Sequence, residues 1–281
     1  MNPPTNLKTD TEQTQGSTHE STLSESTLFL IGSAMIASIL VTVVHELGHA
    51  LAVSSLSIGF DLILYPFSTS AVHWLSPVPL ESLLFVTAAG PAIELLFGIV
   101  LFLLLWHFRT LRLVPLLICV PVSFLHCGGN LAVGTLFGGG SDTAVMMSLG
   151  VPAILLQVVG GLFIILGAVS MILLFPLLGI TPNVSVTKLF VILFIGMNFQ
   201  GFGTIAYALA FNIMEISNGI MNVILWSVIV TILTGVYVKK SQFFDRVSHT
   251  EVAILDRTTI ISSLTIALVL IIFELLFFNW P

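Results

Sequence analysis

The stretch LFLIGSAMIASILVTVVHELGHALAVS, residues 28–54, decides how this chain is read. It is apolar over more than the roughly 20 residues a helix needs to cross a bilayer. Near its far end it carries three ionisable side chains, His45, Glu46 and His49. Such groups are costly in hydrocarbon and usually mark function. At roughly 1.5 Å per residue, His45 lies about 25 Å of helix beyond Leu28, still within the span but toward one face. Positions i and i+4 share a helical face, so both imidazoles can reach one metal ion. Glu46 stands beside the first of them as the expected catalytic base. The expected ion is one zinc per chain, which acidifies water without redox chemistry.

The rest of the sequence has the same solvent. It is 56% hydrophobic and only 8% charged, whereas soluble domains are about 25% charged. Too few charges remain to cover a water-facing surface, so an integral multi-pass membrane protein is expected, in contact with a lipid bilayer and most simply in the cell membrane. The net charge of −6 and the lack of a basic run argue against nucleic acid as a partner. Cys119 and Cys127 fall in or beside an apolar run and read as two buried thiols.

Apolar runs recur near 28–54, 82–106, 113–136, 152–178, 187–213, 218–238 and 258–279. In lipid the backbone must satisfy itself, so these are expected to be helices. The predicted fold is an all-α polytopic membrane protein of about seven transmembrane helices. Residues 1–27 read as a disordered polar tail, 28–150 as a metal-bearing core, and 151–281 as additional transmembrane helices. The first apolar run follows a long polar tail with few basic residues, unlike a cleaved signal peptide. Residues 59–80 place Pro66, Pro77 and Pro79 among β-prone residues, which predicts a small re-entrant or interfacial β-hairpin after the first helix. His73 falls within it. Residues 239–257 are polar and are expected to form a solvated loop. With seven spans, one side carries all eight Lys and Arg residues. The positive-inside rule then favours a cytoplasmic N-terminus and an outside C-terminus, an orientation that one helix more or fewer before the second span reverses, so it stays open.

A catalytic zinc site has three protein ligands and an open position. Asp142, after Gly138-Gly139-Gly140-Ser141 at the end of the third span, is the expected third metal ligand beside His45 and His49. The first and third spans run in the same direction, which brings both ends to one side. Asp142 also suits the N-cap of a following short helix. His126 and Glu94 are competing ligands.

These residues resemble the site-2 protease (M50) family of intramembrane zinc metalloproteases. His45-Glu46-Leu47-Gly48-His49-Ala50 is similar to the family's first motif. Ala89-Gly90-Pro91 is similar to its Gly-Pro motif, and Asn130 and Asp142 to the asparagine and aspartate of its third. The resemblance covers residues 28–150. It implies zinc held by His45, His49 and Asp142, and hydrolysis of peptide bonds in or near transmembrane segments of membrane-protein substrates. It also implies substrate-binding roles for Asn130, Gly90 and Pro91. The chain departs from the family at Thr143, where glycine usually follows the aspartate, and at Glu94, where the second motif often ends in asparagine. It carries no PDZ-like or CBS-like insert. The alternatives from other classes are a polytopic transporter or channel, with Glu46, Glu94 and Glu274 lining a pathway, and a non-catalytic protease-like protein that binds helices.

Overall fold

The computed structural model describes residues 23–65, 69–107, 113–137, 142–178, 180, 184–211, 216–248 and 256–277. Among these, the chain is helical apart from one two-stranded sheet. Helix α1 spans Leu23–Ser55. It starts before the apolar run, so residues 23–27 of the expected disordered tail are helical instead. Glu25 lies in its first turn, where an acid meets the positive end of the helix dipole. Strands β1 (Phe60–Tyr65) and β2 (Thr69–Trp74) pair antiparallel, with Asp61 opposite His73. A two-stranded hairpin therefore lies within residues 59–80, where the sequence predicts one. Helix α2 follows at Leu80–His107, with Pro91 in its interior.

The next apolar run divides into α3 (Val114–Leu117) and α4 (Cys119–Phe137), with Ile118 between them. Pro121 supplies the reason, because it has no N–H to give the carbonyl of Leu117. Short α5 (Asp142–Ser148) precedes α6 (Ala153–Leu174), which ends in a 3-10 turn at Phe175–Leu178. Helices α7 (Val186–Phe211), α8 (Ile216–Ser248) and α9 (Arg257–Phe277) complete the fold. The solvated loop expected at 239–257 is corrected in part. Lys239-Lys240 and the residues after them continue α8 to Ser248, because no glycine or proline there stops the helix. The rest of the expected tail, residues 1–22, and the glycine-rich residues 138–141 lie outside the described residues.

Five helical segments are long and apolar enough to cross a membrane: Ser24–Ser55, Leu80–Leu104, Val114–Leu136, Ala153–Leu178 and Val186–Ala206. Shorter apolar stretches occupy Val223–Tyr237 in α8 and Arg257–Phe273 in α9. The outer face of α6 exposes Ile154, Leu155, Val158, Leu162 and Ile165, a surface suited to hydrocarbon.

Helix α1 is the axis of the assembly, packing on α2, α4, α7 and α9. One core joins Phe29, Leu30 and Val41 of α1 to Leu125, Phe175, Leu193, Trp226 and Ile260, so it draws on both sides of residue 150. Small residues set the closest crossings, as expected where lipid tails and side chains are equally apolar. A Cβ on Gly160 of α6 would lie 2.5 Å from the backbone nitrogen of Ala132 on α4. A Cβ on Gly48 of α1 would lie 2.5 Å from the Ala89 carbonyl oxygen of α2. The second crossing brings α2 against the HELGH segment.

Candidate metal centre

The HELGH segment folds as helix because α1 runs on unbroken past Gly48, and the crossing at Gly48 turns its histidine face toward α2. His45, Glu46 and His49 are all buried there. Asp142 opens α5, just beyond the end of α4, and joins them. Three side-chain atoms converge. His45 Nε2 lies 3.2 Å from His49 Nε2 and 3.1 Å from Asp142 Oδ2, and His49 Nε2 lies 3.3 Å from the same oxygen. The residues expected to share a cation across 97 positions of sequence are therefore in contact.

The hydrogen bonds behind the rings define what this triangle can hold. His45 Nδ1 donates to Glu94 Oε2 at 2.7 Å, and His49 Nδ1 donates to the Val86 carbonyl at 2.8 Å. With each Nδ1 carrying its hydrogen, the neutral rings present their Nε2 lone pairs forward. An ionised Asp142 carboxylate facing them offers only acceptor oxygens. Three acceptors face one another at contact distance, an arrangement that requires a positive charge among them. A proton can satisfy one edge of the triangle, whereas a metal ion satisfies all three. Ligands at about 2.0–2.1 Å from a tetrahedral zinc are about 3.3 Å apart, close to the three edges observed. The donor set therefore fits zinc.

Behind the triangle, Glu94 of α2 is completely buried, 0% exposed. Its second oxygen, Oε1, accepts from His126 Nδ1 of α4 at 3.0 Å. The His45, Glu94 and His126 atoms form a second group close enough to hold a metal; there each Glu94 oxygen already takes an imidazole Nδ1, which leaves His45 Nε2 for the Asp142 side. Glu94 and His126 thus sit behind His45, and Asp142 occupies the front. Asn130 lies one turn on from His126, with its Nδ2 3.5 Å from His126 Nε2. Gly90 meets the His49 ring directly, for a Cβ there would lie 2.3 Å from Nε2. Its immediate role is to seat that imidazole. Pro91 follows in α2, and its carbonyl faces the Cys127 thiol at 3.9 Å. Both cysteines are free and buried. His73 is exposed on β2.

Thr143 was not legible as a site residue. Its Oγ1 donates to the Asn130 carbonyl at 2.7 Å and pins the start of α5 to α4, which fixes where Asp142 stands. The only signal in the sequence is its place beside Asp142. The backing role of Val86 had no signal, because it belongs to a carbonyl and not to a side chain.

No protein-family model, curated protein or solved structure matches the chain.

Proposed function

We propose that this chain is an intramembrane zinc endopeptidase of the site-2 protease type, acting on peptide bonds in or near the transmembrane segments of membrane proteins. The observation that carries the reading is the triangle of His45 Nε2, His49 Nε2 and Asp142 Oδ2 with edges of 3.1–3.3 Å. Glu46, next in sequence to His45 on α1, is buried as well. When bound, zinc supplies Lewis acidity, acidifying a water and polarising a carbonyl. His45, His49 and Asp142 hold the ion. Glu46 accepts the proton of the attacking water and passes it to the departing amine. Asn130 is the proposed contact for the substrate carbonyl. In this reading α8 and α9 are also spans, giving seven in all, and the hairpin lies at the membrane interface.

Glu46→Gln tests the proposal. The variant is expected to keep one zinc per chain and to lose cleavage by about 10²- to 10⁴-fold, the contribution of a general base. Comparative proteomics of membranes carrying wild type or Glu46→Gln would then show an uncut membrane protein accumulating with the variant. No difference in any membrane protein, with zinc bound in both, would overturn the peptidase. A transport reading, favoured by the polar file His45–Glu94–His126–Asn130, predicts instead no tight stoichiometric zinc that is lost in both His45→Ala and Asp142→Ala.

A further inference from the structure

We propose that Glu94 is the positioning residue of the metal centre and that His126 locks it in place, so that one buried carboxylate sets both the ligand His45 and the Asn130 end of α4. This rests on the metal-site reading above and extends it to residues that would not touch the ion.

Glu94 has no exposed surface and sits on an apolar helix. A buried carboxylate is tolerated only when its oxygens are satisfied. Both of its oxygens are, and by different helices: Oε2 by His45 of α1 at 2.7 Å, Oε1 by His126 of α4 at 3.0 Å. A carboxylate held at one oxygen can rotate, but one held at both cannot. The plane of Glu94 is therefore fixed, and with it the ring of His45. The two imidazoles stand edge-on across it, with centroids 5.8 Å apart. Negative charge behind Nδ1 makes the opposite nitrogen, Nε2, the better donor toward a cation. His126 Nε2 meanwhile accepts from Asn130 at 3.5 Å, which carries the constraint to the proposed substrate contact. His49 has only a neutral backbone carbonyl behind it. The two ligands are thus unequal, and His45 is the one whose affinity is set by a charge.

The test is zinc affinity of the full-length chain in detergent or nanodiscs, measured against a competing chelator, with the visible spectrum of bound cobalt(II) as the readout of ligand geometry. Loss of such a backing partner typically weakens metal binding about 10- to 100-fold. Glu94→Gln keeps the shape without the charge and is expected near the low end of that range. Glu94→Ala is expected near the high end, with an altered cobalt spectrum. His126→Ala releases only the lock and is expected to cause a smaller loss than Glu94→Gln. Because the His126 side chain is 34% exposed, that variant keeps the test open if Glu94→Ala does not fold. Should the Glu94→Gln and His126→Ala chains bind within about twofold of wild type with an unchanged cobalt spectrum, the inference is overturned while the metal centre stands. A wild-type chain that takes up no stoichiometric zinc or cobalt would overturn both.

Discussion

The polar residues of this protein fall into two populations that solve the same problem differently. In α6–α8 most described hydroxyls and amides bond back to their own helix. Ser170 donates to Leu166, Asn198 to Phe194, Ser227 to Val223, Thr231 to Ser227 and Thr234 to Val230, each to the carbonyl one turn earlier. At the centre, His45, His49, Glu94, His126 and Asp142 all reach across to another helix, and the front three meet as acceptors. Self-bonded groups can be carried through hydrocarbon by any one helix and tell nothing of its neighbours. Cross-bonded groups have no solution within their own helix, so the fold must bring them together. The front cluster goes further, because in the proposed reading its three atoms also share a cation.

The largest expected effect breaks the cluster. Asp142→Ala removes the anion from two edges of the triangle. Deleting one partner of a buried charged group typically costs about 3–5 kcal/mol, on the order of 10²- to 10⁴-fold in zinc affinity. Equilibrium dialysis with zinc at micromolar concentration should show stoichiometric metal in wild type and none retained by the variant. Retention of zinc by Asp142→Ala would mean that the two histidines recruit their third ligand elsewhere.

That contrast also explains what was legible in the sequence. The apolar runs point to helices, because a bilayer leaves the backbone few alternatives. The i, i+4 spacing of His45 and His49 puts them on a shared face, and the common direction of the first and third spans brings Asp142 to it. Glu94 and His126 are visible as ionisable groups on apolar helices, but sequence spacing cannot tell front from back. Their side of His45 depends on the rotation of α2 and α4, which is set by crossings such as Gly48 on Ala89 and Gly160 on Ala132. Of the amides on α7, Gln200 accepts from Ser38 of α1, whereas Asn198 bonds its own helix. Composition does not distinguish these two outcomes. The end of α8 is hidden because charge reads as loop, yet a helix can extend past its apolar portion.

Glycines sharpen the comparison at intermediate size. Gly90→Ala would drive a methyl to 2.3 Å from His49 Nε2. The ring is held from behind by Val86 and cannot retreat without losing that bond. Overpacking of this kind costs about 1–3 kcal/mol, expected here as lower thermal stability together with weaker zinc binding. At Gly161 of α6 and Gly235 of α8, an added methyl would have nothing within 4 Å. Alanine at either is expected to stabilise by about 0.5–1 kcal/mol through helix propensity, with zinc binding unchanged. If all three substitutions behave alike, close seating of His49 is not what keeps position 90 bare.

The smallest effects separate cross-bonded from self-bonded groups away from the metal. Gln200→Leu removes a side-chain hydrogen bond between α1 and α7, the one that Ser38 donates. Hydrogen bonds between helices in bilayers average about 0.6 kcal/mol, and the loss should be of that order. Thr234→Val removes a bond to the Val230 carbonyl of the same helix. It keeps the side-chain shape and leaves that carbonyl its backbone donor, so stability should stay within about 0.5 kcal/mol of wild type. Measured by steric-trap or denaturant unfolding in the same detergent, Gln200→Leu should be the more destabilised of the two. The reverse order would mean that bonding across helices carries no stability outside the centre. The cross-bonds at the centre would then be left to the proposed metal site, and not to stability, for their explanation.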